Sequence, residues 1–447
     1  MEKKSLFKRY YEERNSICVS QYPVPVSCHT QEELPELMLL DKKQEKIRKA
    51  VLYVHIPFCE KICSFCPFNK YQHSRADVDR YLEALMKEIH AYSSRRYSET
   101  AVLQCVSFGG GTPTALAAGE LIEIINALKS AFRFSENVML FVEGNPRNFT
   151  LEKLKALQAA GLNRISAGVQ TFQPEMEKNL ELFHSVQDSR ALIRNAREAG
   201  IANIGIDLMY NLPGQEMGDW KADIEQAIAQ QIDHICLLAF CVVPGTGISA
   251  KINRGVLPLI GDWEKEITFF TLARKRLLAA GYKQYTIVDF ALPGKIDKYA
   301  LYYFGRQADL IGLGAAAHGF INGYMYVNKG TVDEYAASCC RGEFPVVCGE
   351  KAAGEELARG MMARGMRMLS VKRERFRRLQ HGDFEDIFSR ELSGLARQGL
   401  ITVDREGVHL TEDGIIWGNN VCREFFSEKY KNHELESRMI LARGRKI

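Results

Sequence analysis

The stretch Tyr53-Val-His-Ile-Pro-Phe-Cys-Glu-Lys-Ile-Cys-Ser-Phe-Cys-Pro-Phe68 joins a short apolar strand to three closely spaced cysteines. Cys59, Cys63 and Cys66 have the spacing CxxxCxxC. Three thiolates hold three irons of a [4Fe–4S] cube and leave the fourth iron open, whereas a cluster that only carries electrons is normally closed by four cysteines. The spacing therefore predicts a cluster with one iron available for chemistry.

Zinc is the alternative ligand for these thiols. A structural zinc site usually takes four cysteine or histidine ligands, commonly as two pairs, and no second pair follows here at suitable spacing. His55 is a nearby donor, but it lies on the strand side of Pro57. We therefore favour the cluster over zinc.

Composition limits the class of protein. The chain has 447 residues, of which 46% are hydrophobic, enough for two or three domains. Its net charge of +4 is spread along the chain, so we do not expect a nucleic-acid partner. We find neither a long apolar run nor a secretory leader, and we expect a cytoplasmic protein without a membrane span. The twelve cysteines fit that compartment as reduced thiols.

Short apolar runs alternate with segments of helical periodicity from residue 51 onward. Six runs have strand-like composition, at Val51–Ile56, Ala101–Phe108, Val138–Glu143, Arg164–Val169, Ile204–Met209 and His234–Phe240. Five segments between them have helical periodicity, at Val78–Ala91, Ala117–Phe132, Leu151–Ala160, Ser185–Ala199 and Met217–Gln230. Because strand–helix–strand crossovers make parallel sheets, the pattern predicts an α/β fold with a partial (β/α)6 barrel.

Three regions flank or follow this pattern. Residues 1–50 are interpreted as an N-terminal extension packed on the body, residues 51–330 as the barrel with its extension, and residues 331–447 as a helical C-terminal domain. Two short strands joined by a turn within Gly399–Gly414 make that domain resemble a winged-helix module. No aromatic side chains are interleaved with a basic groove there, so nucleic-acid binding is not favoured.

Candidate site residues follow the predicted strands, where the carboxyl ends of a parallel barrel form the reactive face. Three contiguous glycines, which let backbone approach a ligand, begin Gly109-Gly-Gly-Thr-Pro-Thr114. Carboxylates at the ends of buried strands are costly unless they bind a polar group. The remaining candidates are polar, sulfur-containing or aromatic, and each also has an ordinary structural explanation as core, turn or satisfied hydrogen bond: Tyr53, Phe65, Glu143, Gln170, Asp207, Cys241 and His318.

Taken together, the ordered motifs HIPFCxxxCxFC, GGGTPT, GVQTF, IDLMYNLPGQ and GLGAAAHG resemble a known family. The chain looks like a radical S-adenosylmethionine (SAM) enzyme from Val51 to Phe426. The branch that it resembles contains oxygen-independent coproporphyrinogen III oxidase, the related haem chaperone and the class C radical SAM methyltransferases.

The resemblance implies a [4Fe–4S] cluster on Cys59, Cys63 and Cys66 and SAM bound to the open iron. One electron from the cluster would cleave SAM to a 5′-deoxyadenosyl radical that abstracts hydrogen. Relatives hold two SAM molecules, and the resemblance gives Tyr53 a catalytic role beside the three cysteines. The positions that it assigns to cofactor binding are Tyr53, Phe65, Gly110, Gly111, Thr112, Glu143, Gln170, Asp207, Cys241 and His318.

The chain departs from the patterns of this family at three places. Phe68 stands where the oxidase has a further cysteine, and Tyr299-Ala300 replaces a His-Asn pair of the chaperone. Leu182 stands where an arginine is expected to meet a SAM carboxylate, and Lys178 or His184 is the expected substitute. These differences favour specialised chemistry over porphyrin decarboxylation.

The expected function is therefore methylation or cyclopropanation of an unsaturated carbon in a heteroaromatic or tetrapyrrole substrate. The alternatives are oxidative decarboxylation of coproporphyrinogen III and a haem-binding chaperone. We expect a small-molecule substrate, a flavodoxin- or ferredoxin-type electron donor, and a monomer.

Overall fold

The computed structural model of the chain describes residues 8–16, 18, 21–42, 46–305, 307–380 and 382–431. The strands within these residues are numbered in chain order: β1 (Arg48–Ile56), β2 (Phe58–Cys59), β3 (Tyr71–Gln72), β4 (Ala101–Gly110), β5 (Arg133–Gly144), β6 (Arg164–Gln170), β7 (Asn203–Tyr210), β8 (His234–Ala239), β9 (Lys283–Gln284), β10 (Asp289–Ala291), β11 (Asp309–Leu313), β12 (His318–Ile321), β13 (Tyr324–Asn328), β14 (Val346–Lys351), β15 (Ser370–Lys372), β16 (Ile401–Val403) and β17 (Gly407–Leu410).

The α-helices of the described residues are numbered in the same way: α1 (Glu33–Leu37), α2 (Arg75–Ser93), α3 (Arg96–Thr100), α4 (Ala118–Ala131), α5 (Leu151–Ala159), α6 (Pro174–Leu180), α7 (Val186–Glu198), α8 (Met217–Ala229), α9 (Gly247–Asn253), α10 (Trp263–Ala279), α11 (Lys298–Tyr303), α12 (Val332–Cys340), α13 (Gly354–Gly365), α14 (Arg373–Gln380), α15 (Phe384–Gln398), α16 (Glu412–Ile416), α17 (Gly418–Glu424) and α18 (Glu428–Lys431). None of them is long and apolar enough to cross a membrane.

A twelve-stranded sheet, in the order β14-β13-β12-β11-β1-β4-β5-β6-β7-β8-β10-β9, carries the site. The seven strands from β11 to β8 in this order pair in parallel, and the outer strands pair antiparallel. The six expected strands are β1 and β4–β8, and the five expected helices are α2, α4, α5, α7 and α8. The expectation of an α/β fold with a partial barrel of six βα units is therefore confirmed.

The apolar pattern of the helices explains how they cover the barrel. In α2, Val78, Tyr81, Leu85 and Ile89 are buried, and their three- and four-residue spacing forms one stripe along the helix. The central strands are buried along most of their length, as expected when helices cover a parallel sheet.

Strand pairing extends beyond the predicted barrel. β5 begins at Arg133, five residues before the predicted strand start at Val138. β14 lies after residue 330, yet it pairs with β13 and continues the large sheet. The predicted boundary at residue 330 therefore falls inside a region that the sheet spans.

Two further segments pack against this sheet. From residues 21–42, Tyr22, Val24, Leu34, Met38 and Leu40 are buried in the main core. The C-terminal region forms a separate three-stranded antiparallel sheet in the order β15-β17-β16, with α14 and α15 beside it. This arrangement of a small sheet and helices fits the winged-helix-like description.

A buried carboxylate on α2 holds the loop that leads to β12. Glu88 is 2% exposed and accepts hydrogen bonds from Gly314 N at 2.7 Å, the Tyr335 hydroxyl at 2.7 Å and Asn328 Nδ2 at 2.8 Å. Burial raises the pKa of Glu88 to about 7, although the three donors oppose that change. The network therefore fixes Gly314, four residues before His318.

We expect Glu88→Gln to lower the free energy of unfolding by about 1–3 kcal/mol, because an amide NH2 must face one of three buried donors. Urea unfolding followed by circular dichroism measures the change. Glu83→Gln is the matched control on the same helix, since that exposed side chain pairs with Lys87 at the surface. Equal stability of both variants and the wild type would contradict the role of this network.

Candidate active site

The segment that carries the three cysteines is closed at its base by strand pairing. β2 and β3 pair in parallel, so that Phe58 lies opposite Tyr71 and Cys59 opposite Gln72. Tyr71 N donates to Pro57 O at 2.7 Å, and His73 N donates to Cys59 O at 2.9 Å. Residues 59–71, which we call the cysteine loop, therefore leave and return to the same edge of the barrel.

The thiols of this loop lie in a partly desolvated environment. Burial raises the pKa of Cys59 and raises that of Cys63 to about 11, and the neighbouring thiols add to both shifts. Thr112 Oγ1 lies 3.3 Å from Cys59 Sγ as a hydrogen-bond donor, and the charge of Lys70 also favours the thiolates. Iron would supply the positive charge that makes several neighbouring thiolates favourable.

The glycine segment after β4 packs directly against the cysteine loop. A Cβ atom on Gly111 would lie 2.8 Å from Pro57 C, and one on Gly109 would lie 2.7 Å from Glu143 Oε2. Gly110 has φ of +112° and lies against the His55 ring, so an L side chain there would be both strained and obstructed. The backbone of Gly110, Gly111 and Thr112, which we call the glycine wall, thus forms one wall of the site.

Two carboxylates project into the interior, Glu143 next to the end of β5 and Asp207 inside β7, three residues before that strand ends. Glu143 lies deep in the protein, yet its side chain is exposed by surface area, so it faces a cavity that solvent can enter. Burial, with a contribution from Asp207, raises the pKa of Glu143 to about 8. Burial also raises the pKa of Asp207 to about 7, while the buried Arg164 opposes both shifts.

Aromatic rings form a further wall of this cavity, and Tyr53 adjoins Glu143 there. Ring centroids lie 6.1 Å apart for Tyr53 and Tyr299, 5.8 Å for Tyr53 and His318, and 5.9 Å for Tyr303 and His318. Burial lowers the pKa of His318 to about 4, so this ring is neutral at physiological pH. We call these four residues the aromatic wall. Tyr53, Tyr299 and His318 are partly exposed and offer flat, uncharged surfaces to a ligand, whereas Tyr303 is buried and packs against His318.

The other candidates lie at the mouth of the barrel. Gln170 ends β6 with φ of +66°, and its buried Oε1 has no hydrogen-bond partner within the described residues. Phe65 packs against Phe240, with ring centroids 6.3 Å apart, and Cys241 follows in the chain. A strained backbone together with a buried amide oxygen that lacks a hydrogen-bond donor is typical of a ligand site.

The connection between α6 and α7, in which Leu182 stands, contains no arginine. Leu182 packs in an apolar cluster with Met176 and Leu180. His184 accepts from Asn145 Nδ2 at 3.0 Å and donates to Val169 O at 3.1 Å, and burial lowers its pKa. A hydrogen-bond acceptor at Nδ1 and a lowered pKa both disfavour a charged ring, so the structure argues against His184 as the expected cation. Lys178 is exposed, and its role stays a prediction.

Several residues of the site were not singled out from the sequence. Arg164, Asp297 and Tyr303 face the same interior, and Lys70 lies beside the thiols. An arginine inside an apolar strand was an available signal for Arg164, because a buried guanidinium needs partners. Asp297 instead has the ordinary sequence signature of a helix cap, and it accepts from Tyr299 N at 2.8 Å.

Comparison with known proteins agrees with this arrangement. Residues 53–227 match the model of the Radical SAM superfamily. The chain is 34% identical to heme chaperone HemW of Bacillus subtilis, over 84% of this chain and 99% of that protein. It is 28% identical to the oxygen-independent coproporphyrinogen III oxidase of Pseudomonas aeruginosa, over 84% and 85% of the two chains.

A solved structure has the same fold. Coproporphyrinogen III oxidase (HemN) from Escherichia coli superposes with a TM-score of 0.78 and 24% identity, over 89% of this chain and 93% of that one. Fold and site together define a radical SAM protein. The chain belongs to the coproporphyrinogen III oxidase-like branch of the radical SAM superfamily.

Membership of this superfamily implies a [4Fe–4S] cluster and SAM, and the residues present fit both groups. The three thiols lie in one loop, and the glycine wall beside it has no side chains that would obstruct a ligand. Gln170 Oε1 is free to accept a hydrogen bond from a ligand, because no described residue donates to it. In the described part of the chain, no group of three or more histidine, cysteine and carboxylate side chains is arranged to hold a single metal ion.

We expect Glu143→Gln to flatten the pH dependence of stability. The folded pKa of about 8 exceeds the usual 4.5, so the folded state holds the proton more tightly between these values. The wild-type free energy of unfolding therefore falls as pH rises through this range, whereas the neutral amide avoids that loss. Urea unfolding between pH 5 and pH 8 checks this.

The matched control is Glu136→Gln, which removes an exposed carboxylate from the same strand. Its stability curve should run parallel to that of the wild type. A Glu143→Gln curve that also ran parallel would contradict an interior, ligand-facing Glu143.

Proposed function

We propose that this protein is a radical SAM enzyme that binds a tetrapyrrole in the cavity between the cysteine loop and the aromatic wall. The observation that carries the proposal is the juxtaposition of the two surfaces. Tyr53 belongs to the aromatic wall, and a Cβ on Gly109 would contact both its ring and Glu143. A flat conjugated ligand on the wall would therefore lie beside the cofactor.

The residues at the mouth of the barrel would hold the cofactors. Cys59, Cys63 and Cys66 would bind the cluster, and the sites for two SAM molecules would be formed by Tyr53, Phe65, Gly110, Gly111, Thr112, Glu143, Gln170, Asp207, Cys241 and His318. When bound, the cluster would supply the electron for cleavage of SAM, and the resulting radical chemistry would take place next to the substrate. The residues of the chain would orient the cofactors and the substrate and exclude water from the site.

Proton placement follows from the electrostatics of the cavity. With a pKa near 8, Glu143 is mostly protonated at neutral pH and donates a hydrogen bond to a ligand oxygen or nitrogen. Asp207, with a pKa of about 7, exchanges its proton close to neutrality. Neutral His318 accepts or donates one hydrogen bond without adding charge to the cavity.

The relatives support a tetrapyrrole rather than a particular reaction. Their names describe heme chaperones and a coproporphyrinogen III oxidase, and none describes a methyltransferase. Haem binding and oxidative decarboxylation are therefore better supported than the methyl transfer or cyclopropanation expected from the sequence. A flavodoxin- or ferredoxin-type protein is the proposed electron source for any of these reactions.

Products distinguish the reactions. Reconstituted, reduced protein is incubated with SAM and either haem or coproporphyrinogen III without oxygen, and the products are analysed by mass spectrometry. 5′-Deoxyadenosine with loss of carbon dioxide identifies oxidative decarboxylation, and S-adenosylhomocysteine with a heavier tetrapyrrole identifies methyl transfer. Haem binding without SAM cleavage under these conditions would contradict an enzyme and leave the chaperone.

We expect Cys63→Ala and Cys66→Ala each to lose reductive SAM cleavage by more than about 100-fold, because loss of even a supporting group costs 10–100-fold in metal sites. Iron content and 5′-deoxyadenosine formation are measured on the same samples. Cys340→Ala is the control, since this exposed cysteine lies on α12. Unchanged iron content in the loop variants would contradict the assigned ligands.

We expect Tyr299→Leu to weaken haem binding about 10-fold, because one aromatic contact is worth about 0.5–1.5 kcal/mol beyond its buried area. Anaerobic absorbance titration measures the affinity. Tyr302→Leu is the control on the same helix, because the Tyr302 ring instead lies 5.4 Å from the Lys49 ammonium. Equal loss of affinity in both variants would contradict a specific role for the aromatic wall.

A further inference from the structure

Lys70 is a charged side chain buried against the cysteine loop. It is only 7% exposed, which is unusual for a lysine. Its ammonium group donates to Cys66 O at 2.5 Å and to Phe68 O at 3.0 Å. The side chain therefore turns back into the cysteine loop, and its charge lies beside the backbone of a proposed cluster ligand.

The backbone on both sides of Lys70 is held by the body of the protein. Asn69 Nδ2 donates to Gly330 O at 2.8 Å, and the Tyr71 hydroxyl donates to the same oxygen at 3.2 Å. Tyr71 N also donates to Pro57 O at 2.7 Å. Because these contacts anchor the neighbours of Lys70, its charge has a defined position before any cofactor binds.

Lys61 differs from Lys70 in its environment, although both belong to the cysteine loop. Lys61 is exposed, and its ammonium lies 3.5 Å from Leu182 O. Water and salt screen an exposed charge, whereas a buried charge acts through a medium of lower dielectric constant. Both charges favour the Cys63 thiolate, Lys61 more than Lys70, and Lys70 also favours the Cys59 thiolate. Of the two ammonium groups, the buried one of Lys70 is the one that water and salt screen less.

We propose that Lys70 is a positioning residue whose fixed positive charge favours the reduced state of the cluster on Cys59, Cys63 and Cys66. The inference rests on the proposed cluster and extends it to a residue that binds neither iron nor SAM. Reduction adds one negative charge to the cluster. A nearby cation stabilises that charge and raises the reduction potential, since net charge and hydrogen bonding set the potentials of iron–sulfur clusters.

Three substitutions separate charge from support of the loop. Lys70→Arg keeps the charge, Lys70→Gln removes it but keeps a donor for a loop carbonyl, and Lys70→Met removes both. Each variant and the wild type are reconstituted without oxygen, and iron content is determined. The midpoint potential of the cluster is then measured by electron paramagnetic resonance during a potentiometric titration, without any tetrapyrrole.

We expect Lys70→Gln and Lys70→Met to shift the reduction equilibrium about 10-fold toward the oxidised cluster, which corresponds to a potential 59 mV lower. Lys70→Arg should remain close to the wild type. Lys61→Met is the matched control, and it should shift the equilibrium less, because water and salt screen the exposed charge that it removes. The combination of a normal iron content and a lower potential in Lys70→Gln supports the proposal.

Three results would overturn it. A wild-type potential in iron-loaded Lys70→Gln would exclude an effect of charge, and an equal shift in Lys61→Met would exclude a specific one. Failure of Lys70→Gln and Lys70→Met to retain iron would reduce Lys70 to a support of the loop. Wild-type protein that takes up no iron would instead refute the proposed cofactor, so the two failures are distinguishable.

Discussion

The common direction of the parallel strands is the constraint on which the site depends. A helix must cross over between successive strands, so the chain leaves every strand at the same edge of the barrel. The cysteine loop follows β1, the glycine wall follows β4, and Glu143, Gln170 and Asp207 stand at or near the ends of β5, β6 and β7. Residues more than 140 positions apart in sequence thereby surround one cavity.

The carboxylates inside this cavity lower the stability of the folded protein. Burial penalises the ionised forms of Glu143 and Asp207, and Arg164 compensates only in part. A polar ligand that hydrogen-bonds to these groups would recover part of that cost, and its binding would stabilise the fold by mass action. We interpret the unsatisfied Gln170 Oε1 in the same way.

The two sides of the cavity divide the chemistry between them. The cysteine loop and the glycine wall form the side on which the superfamily match rests, whereas Tyr299, Tyr303 and His318 come from the segment that follows the barrel, outside the matched residues 53–227. A shared fold does not fix the reaction, which depends on the substrate side of the site. Chaperone and oxidase relatives are consistent with such a division.

Local sequence determined much of this protein, because the period of apolar residues and the spacing of three thiols are local properties. The six barrel strands, their five helices and the cysteine loop could be recognised in this way. The pattern could not predict β14, since an outer strand depends on the exposed edge of β13. Only the tertiary structure decided that Tyr299 and His318 meet Tyr53, that both nitrogens of His184 are bonded, and that Lys70 is buried. Those facts depend on contacts between distant segments, and the composition of a single segment does not encode them.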